Sequence, residues 1–259
     1  MASKINSIAV LGAGTMGQGI AQVCAMAGYQ TFLYDIDLSL SQKAIDSIGV
    51  NFDNSILKRK STEEEKQKAL SRLAISKELS DLKVDLIIEA VVEKLDVKQK
   101  LFAELEKLNK GNCILATNTS SISITQIASG LKNPGKCVGL HFFNPAALMK
   151  LVEVIGGVKT NHSVISDMKA FVLSLNKIAV EAKDSPGFIV NRVARHYYVE
   201  ALKVLEEGVA DVESIDKLMR SAGFKMGPFE LMDLIGIDIN LSIDSTSATP
   251  SSNNFKAST

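Results

Sequence analysis

The stretch V-L-G-A-G-T-M-G-Q-G-I at residues 10–20 constrains the fold of this chain more than any other. It follows an apolar run at 5–11 that reads as a buried strand, and it leads into an apolar segment at 20–27 that reads as a packed helix. Gly12, Gly14 and Gly17 stand in the G-x-G-x-x-G register at that strand-to-helix turn. Gly12 permits the tight turn, Gly14 lets the backbone approach a pyrophosphate with no Cβ in the way, and Gly17 lets helix and strand pack closely. The helix N-terminus, opened by Thr15 and Met16, presents unpaired N–H groups and a partial positive charge to phosphates.

A second apolar run at 31–34 ends in Asp35, 23 positions after Gly12 and close to the ~20 that sets an acid beside a ribose. A carboxylate there accepts hydrogen bonds from both ribose hydroxyls of an adenosine and repels a 2′-phosphate, so the residues read as a site for NAD rather than NADP.

The 259 residues suffice for a large domain plus a smaller one, and an apolar content of 46% allows a sizeable core. Lys plus Arg equal Asp plus Glu at 29 each, which points away from nucleic acid and from an anionic membrane surface as partners. Cys24, Cys113 and Cys137 lie far apart in apolar segments and show neither zinc spacing nor a disulfide framework. No metal is therefore expected, and the compartment reads as reducing: cytoplasm, or an organelle matrix. Residues 1–6 carry no secretory h-region, and no apolar run approaches the ~18 residues of a membrane span.

Further along, strands are expected at 74–76, 84–90, 113–117, 138–142, 151–155 and 178–182, with helices at 91–108 and 163–175. Between 40 and 73, apolar positions such as Ala44, Ile48, Phe52 and Ile56 recur at three-to-four spacing. They predict an amphipathic helix and a second helix after it, N-capped by Ser61 with Glu64 three residues on. Two antiparallel helices inserted between strands would stand off the sheet, with Lys58, Arg59 and Lys60 at the hairpin tip, either solvated or docking a phosphorylated ligand. Strands alternating with helices imply an α/β fold: a Rossmann-type, mostly parallel, doubly wound sheet carrying a helical hairpin insertion. The pattern breaks at K-D-S-P-G, residues 183–187, and helical periodicity follows at 188–207, 212–222 and 229–234. The expected organisation is a nucleotide-binding domain at 1–185, an all-α second domain at 186–241 and a disordered Ser/Thr/Asn-rich tail at 242–259.

Open α/β sheets bind ligands beyond the carboxyl ends of their strands. The candidates there are the 12–17 turn, Asp35, the segment from Ala90 to Glu93, the segment from Asn118 to Ser121, and the segment 141–145 containing Asn144. His141 is the histidine at such an end, and imidazole exchanges protons near neutral pH. Glu153 falls on the neighbouring strand, where a carboxylate on one ring nitrogen fixes the tautomer and stabilises the imidazolium. His162, in a polar turn, and His196, on a helix, read as structural. Taken by themselves, Ser120 reads as a cap for the helix from Ile122 onwards, and Asn191 as an exposed helical asparagine.

The motifs together resemble the short-chain L-3-hydroxyacyl-CoA dehydrogenase family, including the 3-hydroxybutyryl-CoA dehydrogenases. The stretches that carry the resemblance are the glycine turn, I-I-E-A-V-V-E, T-N-T-S-S-I-S-I-T, G-L-H-F-F-N-P-A-A-L-M-K-L-V-E-V-I, D-S-P-G-F-I-V-N-R and G-F-K-M-G-P-F-E-L-M-D-L-I-G, spanning about 5–240. The resemblance implies that His141 is the catalytic acid/base and Glu153 its partner. It implies that Ser120 contacts the substrate's 3-oxygen and Asn191 its thioester side, and that Asp35 binds ribose. It places Glu93 and Lys98, on the helix after I-I-E-A, near the nicotinamide half of NAD. The hairpin around Lys58 is implied to receive coenzyme A, so the substrate is an acyl-CoA, and the assembly a homodimer. After about 241 the resemblance gives way to the polar tail, so the second domain reads as incomplete. A non-catalytic NAD-binding or structural relative is the alternative reading. A β-hydroxyacid dehydrogenase is a third, and the H-F-F-N-P motif argues against it.

Overall fold

A computed structural model describes residues 5–235; the expected polar tail lies outside them. The chain divides into two compact units between Ser185 and Pro186. The first unit is an eight-stranded sheet with helices in the crossovers. Its elements are β1 (Ser7–Leu11), α1 (Thr15–Met26), β2 (Gln30–Tyr34), α2 (Leu38–Leu57), α3 (Glu63–Leu70), β3 (Leu73–Ile75), β4 (Leu86–Glu89) and α4 (Leu95–Leu108). They continue with β5 (Ile114–Thr117), α5 (Ile124–Ala128), β6 (Cys137–Phe142), β7 (Leu151–Gly156), α6 (His162–Ser174) and β8 (Ile178–Lys183). The strand order is β3-β2-β1-β4-β5-β6-β7-β8. Neighbours run parallel throughout except β6 and β7, which pair antiparallel. This is the Rossmann-type, mostly parallel, doubly wound sheet expected from the alternation of strands and helices.

The central strands are buried along their whole length, β4, β5 and β6 at every position. A parallel sheet covered on both faces demands such continuous apolar runs, which is why these segments read as strands without polar alternation. Ile8, Val10, Leu86, Ile88, Ala116 and Val138 join Ile20 and Cys24 of α1 in the main core. All three cysteines are free and buried.

Several local expectations need correction. The helix pair does not stand off the sheet: Ala44, Ile48 and Phe52 of α2 are buried in the main core, because an apolar stripe at four-residue spacing has to be covered. The cap of α3 is Thr62, not Ser61. Thr62 is extended, its hydroxyl accepts from Glu65 N at 3.2 Å, and Glu65 accepts from Thr62 N at 2.8 Å. Ser61 instead adds a bond to the Glu65 side chain at 2.8 Å. A Lys66–Asp53 contact at 2.5 Å ties α3 to α2. α4 begins at Leu95, four residues later than expected, and leaves residues 91–94 as a loop. His162 is the first residue of α6 rather than part of the preceding turn.

The second unit, within the described residues, holds α7 (Val190–Glu206), α8 (Val212–Ser221) and α9 (Pro228–Ile235). Asp211 caps α8 through Ser214 N at 2.8 Å. The buried Asp216 accepts from Phe229 N at 2.9 Å and Glu230 N at 3.0 Å, which joins α8 to the start of α9.

Candidate active site

Beyond β1 and β2 the site is made of main chain. Gly12 sits at φ +94°, and a Cβ there would lie 2.5 Å from the carbonyl oxygen of Ala90. A Cβ on Gly17 would lie 1.7 Å from the carbonyl oxygen of Gly12. Both glycines are therefore demanded by the protein itself. Gly14 differs, since a Cβ there would meet no atom within 4 Å. The space next to Gly14 is open at the N-cap of α1, where no side chain supplies a cap and the first helical bond is Gln18 N to Gly14 O at 2.9 Å. The amides of the first turn, including those of Thr15 and Met16, have no intrahelical partner and suit a phosphate. Asp35, just past β2, accepts from Ala13 N at 2.8 Å and Asp37 N at 3.0 Å, so its carboxylate is held against the glycine turn. An open helix N-terminus beside an anchored acid fits the pyrophosphate and ribose of NAD. Ala90 belongs to this half through its contact with Gly12, and its N–H continues the β1–β4 ladder to Leu11 O at 2.8 Å.

Beyond β4 and β5 the site is made of side chains. Glu93 is not on a helix as expected but in the loop before α4. Its carboxylate accepts from the Thr119 hydroxyl, from Ser120 N at 3.1 Å and from Ser121 Oγ at 3.3 Å, and it meets Lys98 Nζ at 3.1 Å. Burial opposes ionisation of Glu93, but the Lys98 ammonium and these hydrogen bonds outweigh it and hold the carboxyl below the usual carboxylate range. Lys98 is buried and held between Glu89 and Glu93, so its ammonium sits beneath the loop. Asn118 accepts from Phe142 N at 2.8 Å and pins the end of β6 to the end of β5. Ser120 is not a helix cap. The Thr119 hydroxyl accepts from Ile122 N at 2.9 Å, and Ser123 caps α5 through Gln126 N at 3.3 Å. Among the described residues the Ser120 hydroxyl takes no hydrogen bond, which leaves it for a ligand.

His141 and Glu153 stand directly opposite each other in the antiparallel β6–β7 pair. That register puts both side chains on one face, and His141 Nδ1 lies 2.7 Å from Glu153 Oε2. Glu153 is fully buried and the His141 side chain is 7% exposed. Phe143 packs on the imidazole with ring centroids 4.5 Å apart. Low polarity around the pair strengthens its hydrogen bond and fixes the ring. Burial pushes the thiols of Cys24, Cys113 and Cys137 up to about 12.

Three candidates remain. Asn144 sits in the β6–β7 loop, before a cis bond to Pro145. Lys58 is exposed at the C-cap of α2, on the hairpin beside Arg59 and Lys60. Asn191 is the second residue of α7, in the second unit. The sequence reading missed Glu89 and Thr117, and held Thr119 only as part of the 118–121 segment. Glu89 had a signal: a lone carboxylate inside the apolar run L-I-I-E-A has to be buried and paired. Among the described residues no group of three or more His, Cys, Asp or Glu side chains is arranged to hold a metal ion, and no helix is long and apolar enough to cross a membrane.

A glycine turn with an anchored acid beside it, along one edge of a doubly wound sheet, suits a dinucleotide-binding protein. Residues 7–185 match the family model for the NAD binding domain of 3-hydroxyacyl-CoA dehydrogenase, and residues 187–258 match that for its C-terminal domain. The second match runs past 241, where the resemblance read from the sequence fades. The chain is 47% identical over 245 residues to 3-hydroxyadipyl-CoA dehydrogenase of Escherichia coli K12, covering 94% of this chain and 52% of that protein. It is 44% identical over 245 residues to 3-hydroxybutyryl-CoA dehydrogenase of Bradyrhizobium diazoefficiens, covering 94% and 84%. The solved (S)-3-hydroxybutyryl-CoA dehydrogenase of Ralstonia eutropha is similar with a TM-score of 0.88 at 39% identity, covering 94% of this chain and 87% of that one. The chain thus spans about half the length of the Escherichia coli relative and most of the other two. It belongs to the 3-hydroxyacyl-CoA dehydrogenase family.

Proposed function

We propose that this chain interconverts short (S)-3-hydroxyacyl-CoA and 3-oxoacyl-CoA with NAD. The observation that carries the reading is the buried His141–Glu153 pair, 2.7 Å apart, at the carboxyl edge of a sheet whose glycine turn and Asp35 suit a dinucleotide. NAD, when bound, takes up the hydride from C3 of the hydroxyacyl group or returns it in the reverse direction. In oxidation, His141 removes the 3-hydroxyl proton at Nε2. Glu153 accepts from Nδ1–H throughout, which holds the tautomer and offsets the positive charge that forms on the ring. In reduction, His141 returns that proton to the 3-oxygen. Ser120 donates to the 3-oxygen and Asn191 bonds the thioester side, so C3 is held for transfer. Lys58, Arg59 and Lys60 meet the phosphates of coenzyme A at the hairpin.

The names of the relatives, their coverage of this chain and the cationic hairpin all support an acyl-CoA substrate. The three free cysteines suit a reducing compartment such as the cytoplasm. A second copy of the chain is the partner we assign to the exposed apolar side chains of the helical unit, such as Val193 and Leu218. Sedimentation measurements giving a monomer at micromolar concentration would remove that assignment.

The deciding experiment follows NADH absorbance with acetoacetyl-CoA and longer 3-oxoacyl-CoA homologues. Steady NADH consumption is expected, strongest with the short acyl chains. A folded protein that binds NADH and turns over none of these substrates would leave only a nucleotide-holding scaffold.

A further inference from the structure

Five residues beneath Ser120 form a circuit of hydrogen bonds, made of side chains and closed through the backbone N–H of Thr119. Glu89 Oε1 meets Lys98 Nζ at 2.5 Å, and Lys98 Nζ meets Glu93 Oε2 at 3.1 Å. Glu93 Oε1 accepts from the Thr119 hydroxyl. Thr119 N donates to Thr117 Oγ1 at 3.2 Å, and Thr117 Oγ1 donates to Glu89 Oε2 at 2.7 Å, which closes the ring. Every donor in it is determined. Thr117 has a single hydroxyl proton, and its other neighbour in the ring is an N–H, so that proton goes to Glu89. Glu89 and Thr117 are fully buried, Lys98 is 1% exposed and Thr119 2%. The ring rises from the ends of β4 and β5 and carries the loop that presents Ser120, whose own N–H donates to Glu93.

Stability alone does not account for such a ring. A buried ion pair is commonly no better than an apolar replacement of the same shape, because desolvation of both charges offsets their attraction. What a fully satisfied buried network does supply is a single arrangement of the backbone it holds. Here that backbone is residues 117–122, and the group it aims is the Ser120 hydroxyl.

We infer that Glu89, Thr117 and Thr119, with Lys98 and Glu93, are positioning residues that hold the Ser120 hydroxyl where the substrate's 3-oxygen is bound. The inference rests on the reading of Ser120 given above. Glu89, Thr117 and Thr119 touch no reacting atom and act through Ser120.

Thr117→Val keeps the shape and breaks the circuit at both of its bonds, whereas Thr117→Ser keeps the hydroxyl. Each is made in the natural chain and in a Ser120→Ala background. kcat and KM are measured with acetoacetyl-CoA and NADH, and amide hydrogen exchange over 119–122 is measured in the protein alone. Thr117→Val is expected to lower kcat about tenfold while shifting KM for NADH less than about twofold, and to speed exchange at 119–122, with Thr117→Ser restoring both. In the Ser120→Ala background the same substitution is expected to cost no further kcat, since residues acting through one group are not additive. An unchanged kcat in Thr117→Val, or losses that simply multiply with Ser120→Ala, would overturn the inference. If the natural chain has no turnover at all, the proposed function fails, and exchange still judges the ring: unaltered protection at 119–122 refutes it. Should Thr117→Val fail to fold, Thr119→Val against Thr119→Ser is read by the same criteria.

Discussion

The carboxyl edge of the sheet is built by two different methods. Over β1 and β2, a turn of six residues and one acid do the work, and what fixes the turn is excluded volume. Gly12 and Gly17 face backbone oxygens so closely that no side chain fits. Over β4 to β7, the parts come from segments far apart in the chain, Glu89, Lys98, Thr117, His141 and Glu153, and what holds them is the pairing of buried charges and hydroxyls. The contrast follows from the ligand groups. Phosphate and ribose need only donors and one acceptor, which main chain supplies. A proton that moves needs a titratable side chain, and burying one requires a partner. At Gly12 and Gly17 the first half tolerates no added atom; in the second, each buried charge needs its partner.

The largest effect that tests this contrast comes from Gly17→Ala. Its methyl would be forced to 1.7 Å from Gly12 O, a backbone atom that cannot turn aside. The helix must leave the strand, so loss of measurable NAD binding is expected by calorimetry, with far-UV circular dichroism reporting whether the sheet survives. NAD affinity like that of the natural chain would mean that sterics do not govern this half. Next in size is His141→Ala. The substitution leaves the turn untouched, so kcat is expected to fall on the order of 10²-fold or more while NAD affinity holds. If both quantities fall together, the two halves are not separable.

The same contrast explains what was legible in the sequence. The glycine turn and Asp35 were readable because their determinants lie within one βαβ unit, at fixed spacing. The His141–Glu153 pair was readable because the two strands are consecutive in the chain, so pairing followed from neighbourhood. The ring under Ser120 was not. It joins positions 89, 98 and 117 through a strand order that only the assembled sheet sets. The late start of α4 has the same origin. Residues 91–94 run directly into the α4 sequence, but Glu93 is committed to the loop at 119–121. α5 starts at Ile124 rather than Ile122, as read, because its five residues are anchored from afar: Asp184 accepts from Ile124 N at 3.0 Å and Thr125 N at 2.8 Å. At the cap of α3, S-T-E-E-E offers two hydroxyls, each with a glutamate three residues on, and sequence cannot choose between them.

A smaller effect sharpens the binding half. Asp35→Ala removes an acceptor without adding volume, so the turn should remain and NAD affinity fall about tenfold, the worth of one or two hydrogen bonds to a charged acceptor. Selectivity against NADP should shrink in the same titration, because the repulsion of a 2′-phosphate is lost. Equal weakening toward both dinucleotides would show that Asp35 serves chiefly to hold Ala13.

The smallest expected effect concerns pH, and it separates charge from shape in the chemical half. Glu93→Gln keeps an acceptor for Thr119 and Ser120 but removes the charge that faces Lys98. Because the folded protein holds the Glu93 carboxyl below its ordinary value, ionised Glu93 favours folding at every pH above the ordinary glutamate range of about 4.3. That advantage disappears as pH falls through the depressed folded value, where the natural side chain becomes protonated too. The stability gap between the natural chain and Glu93→Gln should therefore be constant from neutral pH down to about 5 and narrow below it, as read from urea unfolding at a series of pH values. A gap that is flat across the whole range would mean that Glu93 acts through shape alone, as the glycines do, and the distinction between the two halves would then rest on His141 and Glu153.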